Sequence, residues 1–327
     1  MRRNSLLAGA GALALLAGLL WAAWTPDRSL ESLKARWARA PSRFVAVDGV
    51  LAHVRDEGPR DDPHPIVLLH GAESSLHTWQ GWADALKANH RVVRLDLPGA
   101  GLTGPFADDD YRIDHFVRFT ADFLDQLGIR HAILVGNSLG GRIAWETAAS
   151  WRDLAWRLVL IDSRGYPGEA GPPTAVERVA QVPILGPFVI EHFTPRGLIE
   201  KSLKTVVGNP RKLTADLVDR YYELLLRAGN RRALILQINQ ESYADWGRIK
   251  TLAVPTLIMW GALDQHVPAP DAERFHRDIA GSQVIVFGGL GHTPQEEDPA
   301  RTVRAFEDFL GEPPPSPPGT PKPDSTK

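Results

Sequence analysis

Six short apolar runs recur along this chain, and each stops at glycine or at a polar residue. Ile66–Leu69 stops at His70-Gly71, Val92–Leu95 at Asp96-Leu97-Pro98-Gly99, and Ala132–Val135 at Gly136. Leu158–Ile161 stops at Asp162, Thr256–Met259 at Trp260-Gly261, and Val284–Phe287 at Gly288-Gly289. Short, mainly apolar runs without alternation describe a strand buried on both faces, which parallel sheets require because helices cover both sides. Helical spacing fills several gaps, as in Phe116–Leu127 and Gly140–Ala149. The pattern predicts an α/β fold with a mostly parallel, doubly wound sheet. Ahead of it, Phe44–Val54 alternates around Asp48-Gly49. Asp-Gly tolerates the positive φ angles of a tight turn, so an N-terminal antiparallel hairpin is expected. Open sheets of this kind bind ligands beyond the carboxyl ends of their strands, where all six polar stops fall.

The strand rhythm breaks between Ser163 and about Lys250, where Pro167, Pro172, Pro173, Pro183 and Pro187 punctuate an apolar, mainly helical stretch. Because strands resume after it, the stretch reads as an inserted cap. The expected organisation is a core in two parts, 44–162 and 251–311, with a helical cap at 163–250 between them. Residues 312–327 are rich in proline and nearly devoid of apolar residues, so a disordered tail is expected there. A net charge of -2 with no basic stripe argues against a nucleic-acid partner. The absence of cysteine excludes disulfides, a thiol nucleophile and thiolate metal sites.

The first 28 residues read as a membrane anchor or signal segment. Residues 5–24 carry no charge and are long enough to cross a bilayer. Trp21 and Trp24 stand where an interfacial anchor belongs, and no small-residue cleavage site follows, so an uncleaved signal anchor is the expectation. Arg2 and Arg3 favour export of the catalytic domain to the periplasmic or extracellular side, whereas Arg28, Lys34, Arg36, Arg39 and Arg43 favour the cytoplasmic face. Residues 29–43 predict an amphipathic linker helix, lying on a membrane or packed on the globular domain.

Gly136-Asn137-Ser138-Leu139-Gly140 lies between a predicted strand and a predicted helix. A serine in such a turn is thrust out of the sheet, provided the residues two before and two after it are tiny. The helix start then aims backbone N–H groups at developing negative charge. A hydroxyl attacks only when a base takes its proton. His292, in a glycine-flanked loop after the last strand, is the candidate base, and Asp264, just past another strand, is the candidate residue that orients it. Asp162 is the alternative acid. The N–H groups of Ala72 and Leu139 are the candidate oxyanion hole, while His70 and Asp96-Leu97-Pro98-Gly99 read as structural, and His266 as a rim residue. This chemistry calls for neither a metal nor a cofactor.

His70-Gly71, Asp96-Leu97-Pro98-Gly99, Gly136-Asn137-Ser138-Leu139-Gly140-Gly141, Trp260-Gly261 with Asp264, and Gly291-His292 together resemble the successive signatures of the α/β-hydrolase superfamily. The resemblance runs from about Phe44 to Leu310 and is to the capped branch, which holds esterases, epoxide hydrolases, haloalkane dehalogenases and the carbon–carbon hydrolases of aromatic degradation. Epoxide hydrolases and dehalogenases use an aspartate nucleophile, which Ser138 is not. The carbon–carbon hydrolases share Gly-Asn-Ser but typically carry an aromatic residue soon after the catalytic histidine, where this chain has Thr293-Pro294-Gln295. The resemblance therefore implies cleavage of a carboxylic ester of a hydrophobic small molecule, with carbon–carbon hydrolysis second. A membrane-tethered ligand-binding protein without useful turnover is the expectation from another class, since fold alone never fixes function.

Overall fold

The computed structural model describes residues 23–167, 171–242 and 245–311. Its centre is an eight-stranded sheet: β1 Arg43–Val47, β2 Val50–Glu57, β3 Ile66–Leu69, β4 Val92–Leu95, β5 Ala132–Asn137, β6 Ala155–Ile161, β7 Thr256–Gly261 and β8 Gln283–Phe287. The order across the sheet is β1-β2-β4-β3-β5-β6-β7-β8. The β1–β2 and β2–β4 pairs are antiparallel and every other pair is parallel. The hairpin turn has φ of 46° at Asp48 and 73° at Gly49, as the Asp-Gly dipeptide predicts. Both faces of the central strands are buried. Val67, Leu69, Val93 and Leu134 enter one apolar cluster, while their neighbours Ile66, Leu68, Val92 and Ile133 enter another. This is why the central strands read as mainly apolar runs.

Helices α1 Leu30–Trp37, α2 Gln80–Leu86, α3 Ile113–Gln126 and α4 Leu139–Ser150 precede or connect the early strands. Five more, α5 Ala175–Ala180, α6 Leu185–His192, α7 Arg196–Val206, α8 Ala215–Leu225 and α9 Asn230–Gln240, lie between β6 and β7. These five have an apolar cluster of their own, built on Val176, Ile190, Ile199, Val218 and Leu234. Helices α10 Pro270–Asp278, α11 Pro294–Glu297 and α12 Pro299–Gly311 complete the chain. Strand order reverses between β3 and β5, whose neighbouring ends pair Leu69 with Gly136. Such a switch point opens a crevice at the carboxyl ends.

The expectation of a membrane-anchored, exported domain is corrected. Most of the supposed span, and the tail at 312–327, lie outside the described residues. Among the described residues no helix is long and apolar enough to cross a membrane. The supposed interfacial anchor Trp24 stacks on His192 with ring centroids 4.8 Å apart and meets Phe193 edge-on. Thr25 N–H donates to the His192 carbonyl (2.8 Å), Asp27 pairs with Arg231 (2.6 Å), and Arg28 N–H donates to the Leu226 carbonyl (2.7 Å). Residues 24–28 are thus built into the helical layer, and an aromatic ring on an apolar run reads alike whether its partner is lipid or protein. Helix α1 likewise packs on the globular unit. Leu33 joins Leu102 and Leu224, and Trp37 Nε1 donates to Glu223 (2.7 Å).

Candidate active site

Ser138 ends β5 and opens α4 with φ 55° and ψ −115°. A non-glycine residue held there costs about 1–3 kcal/mol, so the surroundings must enforce it. The flanking glycines make it possible. A Cβ at Gly136 would run into the Gly140 carbonyl, and one at Gly140 into the Leu69 carbonyl. Ser138 N–H donates to the Ile161 carbonyl (3.0 Å), while its own carbonyl accepts from Arg142 N–H (3.0 Å) and Arg164 N–H (3.2 Å). Its side chain borders a chamber of about 390 Å³, which Ala72, Leu139 and His292 also line. No hydrogen bond to the N–H of Ala72 or Leu139 is found among the described residues. Both donors stand at adjoining strand ends, with Leu139 at the first turn of a twelve-residue helix.

His292 Nδ1 meets Asp264 Oδ2 at 2.7 Å. The other carboxylate oxygen of Asp264 accepts from the N–H groups of His266 (2.7 Å) and Val267 (3.2 Å). Burial alone would raise this carboxyl, but the His292 ring and the backbone donors hold it below its ordinary value. Asp162, at the end of β6, is fully buried and accepts from Gly261 N–H (2.9 Å). Burial, reinforced by the neighbouring Asp264 charge, pushes its carboxyl well above the carboxylate range. Asp162 stands behind Asp264, and the imidazole bond goes to Asp264. The His292 main chain is fixed on both sides. Its N–H donates to the Val206 carbonyl of the helical layer (2.7 Å), and its carbonyl accepts from Asn137 Nδ2 (2.9 Å).

His70 and Asp96 brace this end of the sheet. His70 Nε2 accepts from Leu97 N–H (2.9 Å) and Nδ1 donates to the Gly71 carbonyl (2.7 Å), which fixes the loop carrying Ala72. Burial lowers the His70 pKa, consistent with the neutral ring these bonds require. Asp96 meets His53 Nδ1 (2.7 Å) and accepts from Leu76 and Leu102 N–H (2.7 Å each). His266 lines the chamber as a rim residue, its ring 5.5 Å from that of His292.

Several residues in or beside the chamber carried no sequence signal. Glu73 follows Ala72 with φ 59° and lines the cavity, and burial, helped by nearby Glu177, pushes its carboxyl up to about 8 despite Arg164. Arg220 and Tyr221 of α8 reach across to Glu296, which also accepts from Thr78 (3.0 Å). The spacing of Arg220 and Tyr221 on an amphipathic helix marks a buried face but not its partner.

A sequence model of the alpha/beta hydrolase fold family matches residues 64–299. A 2-hydroxy-6-oxononadienedioate/2-hydroxy-6-oxononatrienedioate hydrolase of Burkholderia vietnamiensis is 31% identical, over 83% of this chain and 96% of the relative. Among solved structures, a meta-cleavage product hydrolase from Pseudomonas fluorescens IP01 superposes with a TM-score of 0.71 at 26% identity, covering 82% of this chain and 97% of that one. A bacterial membrane phospholipase A reaches the same TM-score, 0.71, at 25% identity, covering 95% and 98% respectively.

Proposed function

The chain belongs to the alpha/beta hydrolase fold family, and on that premise we propose that it is a serine hydrolase cleaving the carbon–carbon bond beside a ketone, with Ser138 as nucleophile, His292 as base and Asp264 as its orienting acid. The observation that carries this reading is the 2.7 Å Asp264–His292 bond at the edge of a chamber that a strained serine also lines. Ser138 Oγ attacks the carbonyl carbon and His292 takes its proton. The oxyanion that forms lies against the N–H groups of Ala72 and Leu139, each such donor contributing about 3–4 kcal/mol. Collapse breaks the carbon–carbon bond, the electron pair leaves on the departing carbon, and His292 returns the proton to it. Water, deprotonated by His292, then hydrolyses the acyl-serine. Sequence reasoning alone ranks ester cleavage first. Relatives named for carbon–carbon hydrolysis, aligned over more than three-quarters of the chain, support the reverse order.

Ester cleavage by the same three residues is the second reading, and one observation favours it. The chamber's arginines are engaged by carboxylates: Arg142 with Glu146 (2.9 Å), Arg164 with Glu241 (2.7 Å) and Arg274 with Asp271 (2.8 Å), with Arg220 nearby on Glu296. A dicarboxylate, such as the relatives' names describe, would have to share these arginines with carboxylates already bound to them. An uncharged ester would not. Purified protein is to be assayed in parallel with a 2-hydroxy-6-oxo-dienoate, followed by loss of its conjugated absorbance, and with p-nitrophenyl esters. Faster turnover of the dienoate supports the first reading, and turnover of esters alone replaces it with the second. A fluorophosphonate should label Ser138 in either case. A folded protein that resists labelling would return the reading to a ligand-binding protein without turnover.

A further inference from the structure

Five residues beyond His292, the Glu297 carboxylate joins two peptides that are far apart in sequence. One oxygen accepts from Gly291 N–H (2.8 Å), immediately before the histidine, and the other from Gly208 N–H (2.7 Å), just past α7 in the helical layer. Burial pushes the Glu297 carboxyl upwards, and these backbone donors, with Thr293 N–H, pull it back. Among the described residues Glu297 forms no ion pair, so its partners are peptide groups. The two segments touch backbone to backbone. A Cβ on Gly208 would lie 2.6 Å from the Gly289 carbonyl oxygen, and one on Gly291 would lie 2.5 Å from the Gly208 nitrogen. The His292 N–H bond to the Val206 carbonyl closes the same seam. Beside it, Glu296 holds Arg220 and Tyr221 of α8. Helix α11, beginning two residues after His292, therefore grips the helical layer with two consecutive carboxylates.

We propose that Glu297 is a positioning residue that ties the pose of His292 to docking of the helical layer, so that the base is aligned only when the segment at Val206–Gly208 is seated. Displacing that segment removes the Val206 acceptor from the His292 N–H and one half of the Glu297 bridge in a single movement. The imidazole then loses its fixed approach to Asp264. Opening to admit substrate and alignment of the base are thereby mutually exclusive states. The proposal rests on the reading of His292 as base and adds what holds it.

Glu297→Gln keeps one acceptor but turns an amide NH₂ towards a backbone donor, so one bridging bond must go. We expect kcat, and the rate of fluorophosphonate labelling at Ser138, to fall at least tenfold, with KM changing less than threefold and the melting temperature little altered. Glu297→Asp should recover part of the loss. Gly208→Ala wedges the same seam from the other side and should give a similar loss, and the double variant should be no worse than the poorer single one, because both break one bridge. Independent, multiplying losses would overturn the proposal, as would wild-type labelling rates in Glu297→Gln. The low-field NMR signal of the His292 imidazole N–H bonded to Asp264 provides a readout without turnover. It should be sharp in the wild type and broadened or shifted in both single variants. An unchanged signal would overturn the coupling, whereas an unlabelled wild type with the expected NMR change would sink only the proposed function.

Discussion

At the scale of single residues, two buried carboxyls within a few ångströms are pushed in opposite directions. The His292 ring and two backbone donors pull the Asp264 carboxyl below its ordinary value, whereas burial and the neighbouring Asp264 charge push that of Asp162 upwards. Their isosteric amides should therefore behave differently. Asp264→Asn removes the negative acceptor for the imidazole N–H, favours the wrong tautomer, and is expected to lower kcat by about 10⁴-fold. Asp162→Asn makes neutral a group that burial already drives towards its neutral form, and the amide still offers an oxygen to Gly261 N–H. It should stay within a few-fold of wild type. Steady-state rates of the two variants check the assignment, and a larger loss in Asp162→Asn would exchange the two roles.

The loops that end strands carry the next level. Asp96, just past β4, has no exposed surface and satisfies His53, Leu76 N–H and Leu102 N–H with two oxygens. Burial opposes its ionisation, yet the His53 ring bonded to it holds its carboxyl well below the usual range. A depressed acid contributes stability that is present above the unfolded carboxylate value and is lost as pH falls through that value towards the folded one. Denaturant unfolding should show this loss beginning below about pH 5. Asp96→Ala leaves a buried histidine and two amides unpaired and is expected to cost roughly 3–5 kcal/mol at neutral pH. Most of the acid sensitivity should go with it. An unchanged pH dependence in Asp96→Ala would assign the sensitivity elsewhere.

Across the whole molecule, the residues entering the fold near the amino end are fastened to the helical layer rather than to the sheet. Arg28 lies between Leu226 and Ala228, accepting from Ala228 N–H (2.9 Å), and Asp27 pairs with the buried Arg231. Removing residues 1–28 should therefore loosen α8 and α9 and speed proteolysis there, relative to removing residues 1–22 only. If the helical layer also aligns His292, the longer truncation should lower kcat as well. Equal proteolysis and equal rates in the two truncations would show that these contacts are dispensable.

The parallel sheet, its antiparallel hairpin, the turn at Ser138 and the order of Ser138, Asp264 and His292 were legible because each depends on local rules. A strand buried on both faces must be apolar throughout, and a strained turn must have glycines around it. The partner of Trp24 was not legible, because an apolar surface has no directional signature and is satisfied by lipid or by a neighbouring ring. Nor were the bonds of Glu297 to Gly208 and of Glu296 to Arg220, which join residues 89 and 76 positions apart in sequence. The opposite directions in which Asp162 and Asp264 are pushed were equally hidden, since identical side chains differ there only in burial and in the donors and charges that the fold brings to them. Local pattern thus determined the elements and the chemistry available at strand ends. Three-dimensional packing alone decided which charges face one another, because interaction energy depends on distance through space and not along the chain.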